Sequence, residues 1–166
     1  MFDKIAWLVL LTFVPVFELR WSIPIGIYSG TVNCIPLIGS FVGFGLDPFL
    51  VFFICVLANA FLALISYFFF DKIIHIFLRI RLIDSLYQKF VIKTQKKVAP
   101  LVDKYGLFGL ALFIAIPLPG SGTWTGTLAA YLLGFGYKKT FAANLIGVII
   151  AGIIVTLITI GAFSFI

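Results

Sequence analysis

PFLVFFICVLANAFLALISYFFF, residues 48–70, decides the fold: twenty-three consecutive positions carry no charge. A helix of that length reaches ~35 Å, enough to cross the ~30 Å hydrocarbon core of a bilayer. Residues 140–166, TFAANLIGVIIAGIIVTLITIGAFSFI, are equally free of charge and longer. Composition agrees with a membrane setting. Hydrophobic residues make up 63% of the 166 and charged residues 11%, with a mean hydropathy of +1.22, where an ordinary soluble domain carries about 25% charged residues. So few polar side chains cannot cover that much apolar surface, and lipid is the solvent for most of the fold. The expectation is an all-α integral membrane protein, multi-pass in the cell membrane, with no room for a separate soluble catalytic domain.

Outward from these two runs the apolar stretches are shorter or broken. Residues 5–17 end at Glu18 and Arg20, and the run lacks the small-residue cleavage site of a secretory signal, so it reads as retained. Residues 23–46 are punctuated by Pro24, Gly26, Gly30, Pro36, Gly39, Gly43 and Gly45. Residues 106–116 run into Pro117-Leu118-Pro119-Gly120, and residues 123–137 stop at Lys138-Lys139. Apolar runs of 10–14 residues suit re-entrant or broken helices, and the backbone groups freed at such breaks need protein or a water-filled cavity around them.

The order then repeats: a broken pair, a full span, a basic linker, a broken pair, a full span. Eight of the twelve basic residues (Lys72, Arg79, Arg81, Lys89, Lys93, Lys96, Lys97, Lys104) fall in the linker, as they do in cytoplasmic loops. If each broken pair enters and leaves on one side, the linker and Lys138-Lys139 share the cytoplasm, and the two halves are inverted. The chain is thus read as one membrane domain: a first repeat over 1–70, a linker over 71–104 and a second repeat over 105–166. Four to six ordinary spans is the competing reading. Within the linker Ile73, Phe77, Ile80, Ile83, Tyr87 and Phe90 recur at helical spacing, describing a basic amphipathic helix at the interface or, equally, a solvated helix joining the two halves.

Two motifs carry chemistry. The first is Glu18-Leu19-Arg20-Trp21-Ser22-Ile23-Pro24-Ile25-Gly26. An ionisable pair within an apolar region is costly and marks a functional site; the alternative is that Arg20 snorkels to the interface while Glu18 neutralises it. At a spacing of two the side chains of Glu18 and Arg20 point apart on a regular helix, so a helix end near Pro24 is expected to place them. The second is Pro117-Leu118-Pro119-Gly120-Ser121-Gly122-Thr123-Trp124-Thr125-Gly126. Its glycines, hydroxyls and freed amides suit an anionic group, or Gly122 and Gly126 serve helix packing alone. It lacks the Lys of a phosphate-binding loop and the glycine spacing of a dinucleotide fingerprint. Asn59 and Asn144, each on a small-residue face, read first as helix contacts and second as cavity liners.

Other chemistries are excluded. The net charge of +6 comes without a nucleic-acid-binding motif. Cys34 and Cys55 lack metal-ligand spacing and read as small hydrophobes, and the single His75 builds no triad or metal site. No nucleophile has a base within a credible motif, so an enzyme is not expected.

The segment from Glu18 to Gly26, the stretch Val56-Leu57-Ala58-Asn59-Ala60 and residues 111–152 resemble the putative small multi-drug export protein family, and residues 117–126 are the most specific part. Ala58 stands where the resemblance implies glycine. The family is distantly similar to the DedA/VTT superfamily, which implies re-entrant loops in inverted halves and a connection with lipid-phosphate translocation. The expected function is membrane transport, with a site between the two motifs. Glu18 is the candidate proton or cation site, and Arg20 the candidate anion anchor beside Ser22 and Pro24. Pro117, Pro119, Gly120, Ser121, Gly122, Thr123 and Trp124 form the opposing part, with Asn59 and Asn144 lining it. The preferred substrate is a lipid-phosphate or other anionic headgroup, because beyond Glu18 no acidic residue or aromatic cage for cations is evident. Export of small cationic drugs and a non-transporting membrane scaffold are the alternatives. No cofactor is expected beyond protons or a monovalent cation as coupling ion. The partners expected are membrane lipids and a second copy in a homodimer, without nucleic acid.

Overall fold

The computed structural model describes residues 2–15, 17–35, 39–77, 98–100, 102–117 and 121–163. Among the described residues the complete elements, in order, are α1 (Phe2–Phe13), α2 (Glu18–Ile27), β1 (Thr31–Ile35), β2 (Gly39–Val42), α3 (Pro48–Phe77), α4 (Leu107–Ala115), α5 (Thr123–Leu132) and α6 (Tyr137–Phe163). The all-α expectation holds apart from β1 and β2, an antiparallel pair with Thr31 opposite Val42 and an irregularity between Val32 and Ile35. Its β-branched and aromatic residues between glycines, Val32, Ile35, Phe41 and Val42, suit a short strand pair better than a broken helix.

The two long helices contain the uncharged runs. Pro48–Lys72 has a mean hydropathy of 2.6 and Tyr137–Ala162 of 2.7, and each is long enough to cross a membrane. α3 does not stop at the first charges; it passes through Asp71 and Lys72 to Phe77. The interfacial helix expected over residues 73–90 lies, beyond Phe77, outside the described residues. Along α3 the outward face reads Phe49, Phe53, Leu57, Phe61, Ile65 and Phe68, and Phe53, Leu57 and Phe61 are 59, 58 and 62% exposed. A continuous bare stripe of that kind on a full-length helix is a surface for acyl chains.

The chain forms two compact units. The first comprises Met1–Asn59 with Ile149–Ile166, the second Ala60–Val148. In the first unit α1 packs on α2 as an antiparallel hairpin. Lys4 Nζ donates to Phe44 O at 2.7 Å, while Phe44 N and Leu46 N donate to Ile25 O and Gly26 O, both at 2.9 Å. The first turn of α1 and the last turn of α2 are therefore gathered at the N-terminal end of α3. Leu8, Ile23, Val51 and Cys55 are fully buried there, and Gly26 allows Val51 and Leu8 to close in. The end of α6 joins them with Gly152 against Phe52 and Val56.

In the second unit α4 and α5 pack with Gly126 facing Ile114, and Gly147 of α6 lies against Ala111 O and Ile114. Leu62, Leu110, Ile114, Ala129 and Ala143 form its core. Gly134, at φ 74, turns the chain out of α5. Each of α1, α2, α4 and α5 has between 9 and 12 residues, a length of ~14–18 Å and about half the hydrocarbon thickness. None of the four crosses a bilayer alone.

Candidate functional site

In the first unit the polar centre sits where α1 turns into α2. Phe17 N and Glu18 N return to Val14 O at 3.0 and 3.1 Å, closing a tight turn. Glu18 opens α2 with φ 44, the left-handed region, and among the described residues it is the non-glycine residue with positive φ. That conformation costs a residue with a Cβ about 1–2 kcal/mol. It also bends the start of the helix so that residues two apart meet: Arg20 Nη1 lies 3.7 Å from Glu18 Oε2. The pair is thus placed by the turn before Glu18, and Pro24, expected to mark a helix end, sits inside α2. Both side chains are largely buried, Glu18 at 5% exposure and Arg20 at 15%.

Several other polar groups of this unit are tied to backbone. Ser22 Oγ donates to Glu18 O at 2.7 Å, and Thr12 Oγ1 to Leu8 O at 2.8 Å, with Cys55 Sγ 3.9 Å from Thr12 Oγ1. Pro24 has no amide hydrogen for Arg20 O, so this turn of α2 lacks one of its usual bonds. Asn59, fully buried, donates from Nδ2 to Cys55 O of its own helix at 3.3 Å.

The second unit holds the other motif. Pro119 and Gly120 lie outside the described residues; Pro117 and Ser121–Trp124 do not. Ser121 Oγ reaches back to Ile116 O at 2.6 Å and closes the break. Gly122, with φ 154 and ψ −170, holds a conformation that a side chain disfavours. Thr123 is buried at the start of α5, and one turn on Asn144 Nδ2 donates to Thr127 Oγ1 at 3.2 Å and Thr140 O at 3.0 Å. Gly126 is a packing residue, since a Cβ there would collide with Ile114.

Sequence reasoning missed an aromatic cluster around the C-terminal part of α3. Trp124 stands edge-on to Phe69 and Phe70, with ring centroids 5.7 and 5.9 Å away. Tyr67 contacts Tyr131 at 5.7 Å and Tyr137 at 6.2 Å, and Tyr131 OH donates to Asp71 Oδ1 at 3.0 Å. An acidic group set among rings exists after all. The local signal was only Tyr67-Phe68-Phe69-Phe70-Asp71, whose partners stand some sixty positions along the chain. Among the described residues no group of three His, Cys, Asp or Glu could hold a metal ion.

Compared with known proteins, the chain matches a family model described as "Putative small multi-drug export protein" over residues 18–154. No curated protein and no solved structure matches it.

Proposed function

The chain belongs to the small multi-drug export protein family, and on that premise we propose that it is a membrane transporter whose substrate-handling group is the Glu18–Arg20 pair. The observation that carries the reading is the pair itself, two charges 3.7 Å apart and largely buried. Removing two charges from water costs several kcal/mol each, and packing alone has no use for them. Each charge also has a natural competitor for its partner. A proton or cation on Glu18 frees the guanidinium for an anion, and an anion on Arg20 frees the carboxylate for a proton or cation. Loading of the two is coupled by this exchange. The anion of choice is a lipid-phosphate or similar headgroup, because Arg20 offers the paired donors that such an oxyanion accepts.

The short helices support re-entrant hairpins. Gly147 lies ten residues beyond Tyr137, ~15 Å along α6 and about half of the hydrocarbon depth. Ile114 touches Gly147, so the α4–α5 break lies near mid-depth when α6 spans. Thr12, at the end of α1, lies beside Cys55, seven residues beyond Pro48 and ~10 Å deep along α3. The first hairpin opens at the Pro48 end of α3 and the second at the Tyr137 end of α6. An inverted repeat accounts for both.

A second reading, export of small lipophilic cations, is favoured by the family's description and by the ring cluster with its Asp71 carboxylate. The test uses the purified chain in liposomes, with movement of a labelled lipid phosphate and of a lipophilic cation followed for wild type and Arg20→Lys. Lipid-phosphate movement that collapses in Arg20→Lys is the expected result. Cation transport that survives the substitution, with a lipid phosphate that does not move even in wild type, removes the anion reading and leaves the second.

A further inference from the structure

The two long helices reach one membrane surface together within the second unit. Tyr137, in the first turn of α6, lies with its ring centroid 6.2 Å from Tyr67 and 6.0 Å from Phe68, near the Lys72 end of the candidate span on α3. Tyr131 adds a third tyrosine at 5.7 Å from Tyr67, whose hydroxyl donates to Phe135 O at 3.4 Å. Tyrosines and lysines at the ends of apolar helices belong to the headgroup layer. At this level the α5–α6 connection borders an open, shallow cavity of about 550 Å³ lined by residues 133–139.

Its walls are of two kinds. Leu133, Phe135 and Tyr137 supply apolar surface, while Lys138 and Lys139, both exposed, supply charge. Gly134 and Gly136 leave the space open, since a Cβ on either would meet nothing within 4 Å. Asp71, the nearby carboxylate, is held by Tyr131 OH and is not part of the lining. A cation-rimmed, apolar-walled cavity at headgroup level is complementary to one component of the membrane. We propose that residues 133–139 bind an acidic glycerophospholipid. Its phosphate sits against Lys138 and Lys139, and its glycerol and first acyl carbons lie on Leu133, Phe135 and Tyr137. The inference rests on the chain being membrane-embedded and not on what it transports, and lipid retention is read without any transport assay.

The experiment is native mass spectrometry of the full chain in neutral detergent, with phosphatidylglycerol and phosphatidylcholine added in equal amounts. Wild type is expected to retain phosphatidylglycerol preferentially. Lys138→Gln/Lys139→Gln should cut that preference by roughly 10- to 30-fold, the factor that two lysines near a charged lipid surface supply. Gly136→Leu keeps both lysines and fills the cavity, and it should also abolish the preference. Three results would overturn the proposal: no preference in wild type, a preference untouched by the lysine pair, or one untouched by Gly136→Leu. Displacement of the lipid by inorganic phosphate as readily as by phosphatidylglycerol would equally overturn it, because the two lysines would then bind any anion.

Discussion

Substituting Gly126 by Ala tests the close approach on which the second hairpin depends. A Cβ at this position would fall well inside van der Waals contact distance of Ile114 Cγ1 and 2.7 Å from its Cδ1, where carbon atoms prefer ~3.5–4.0 Å. Ile114 has nowhere to go: it is 1% exposed, and on its other side it packs so closely on Gly147 that a Cβ built there would stand 2.7 and 2.8 Å from Ile114 Cβ and Cγ2. Overpacking costs about 1–3 kcal/mol, and a side chain clamped on two sides belongs at the upper end. Against this, Ala in place of Gly gains about 1 kcal/mol of helix propensity. The expected net loss for Gly126→Ala is therefore about 2 kcal/mol. Gly161→Ala on α6 is the control, because its Cβ would meet nothing within 4 Å, and it should gain up to ~1 kcal/mol. A double-mutant cycle with Ile114→Ala completes the test. The truncation alone costs about 2–5 kcal/mol and removes the Cγ1 and Cδ1 that the new Cβ would strike, so the pair should be less destabilised than the sum by about 3 kcal/mol. Reversible unfolding in mixed micelles, followed by tryptophan fluorescence, supplies the free energies. Equal stability of the Gly126 and Gly161 variants, or a cycle additive within ~0.5 kcal/mol, would refute the packing argument.

Glu18→Gln keeps the shape of the side chain but cannot carry or release a proton, so transport should lose its dependence on the ion gradient; full activity with an unchanged pH profile would reduce Glu18 to a counter-ion for Arg20. Tyr131→Phe removes the hydroxyl that donates to Asp71. It should cost about 1.5 kcal/mol, the lower end for a hydrogen bond to a charged group, and it should lower lipophilic-cation uptake only if the ring cluster handles cations. For topology, single cysteines at Lys72 and Lys138, in a background without Cys34 and Cys55, should react with an impermeant maleimide from one side of the membrane. A cysteine at Ala162 should react from the other, and labelling of Lys72 and Lys138 from opposite faces would contradict the meeting of α3 and α6 at Tyr137.

What the sequence disclosed and what it hid divide along a physical line. Both long helices were legible, because an uncharged run longer than the hydrocarbon thickness has few alternative readings. Their ends were less so: α3 runs past Asp71 and Lys72, and α6 begins at Tyr137, before Lys138 and Lys139. The first hairpin was misread at its turn. Hydropathy treats Glu18 and Arg20 as an interruption, yet they open α2, because the positive φ at Glu18 brings the charges together and lets them be buried as a pair. Pro24 looked like a stop, but a ten-residue helix with polar neighbours tolerates the missing bond. The β1–β2 pair was masked by its glycines. Of the candidate site residues, Asn59 and Asn144 were expected first as helix contacts, and each donates to the carbonyl four residues before it. The ring cluster was invisible because its members come from α3, α5 and the start of α6, and no local pattern announces a contact across sixty residues.

The make-up of the first unit governs how the protein can be built. That unit joins Met1–Asn59 to Ile149–Ile166, so its earliest and latest parts emerge from the ribosome far apart in time. At ~5–20 residues per second the intervening chain takes about 5–20 s to synthesise. During that interval Phe52 and Val56 wait without Gly152, the residue that later packs against them, and the hairpin carrying Glu18 and Arg20 stands in the membrane unfinished. The second unit has no such wait, since Ala60–Val148 is one continuous stretch. The packing of Gly152 on Phe52 and Val56 is thus a late step in completing this unit. Nascent chains stalled before Ile149 should be recognisable to membrane quality control by the bare face of α3 that α6 would have covered.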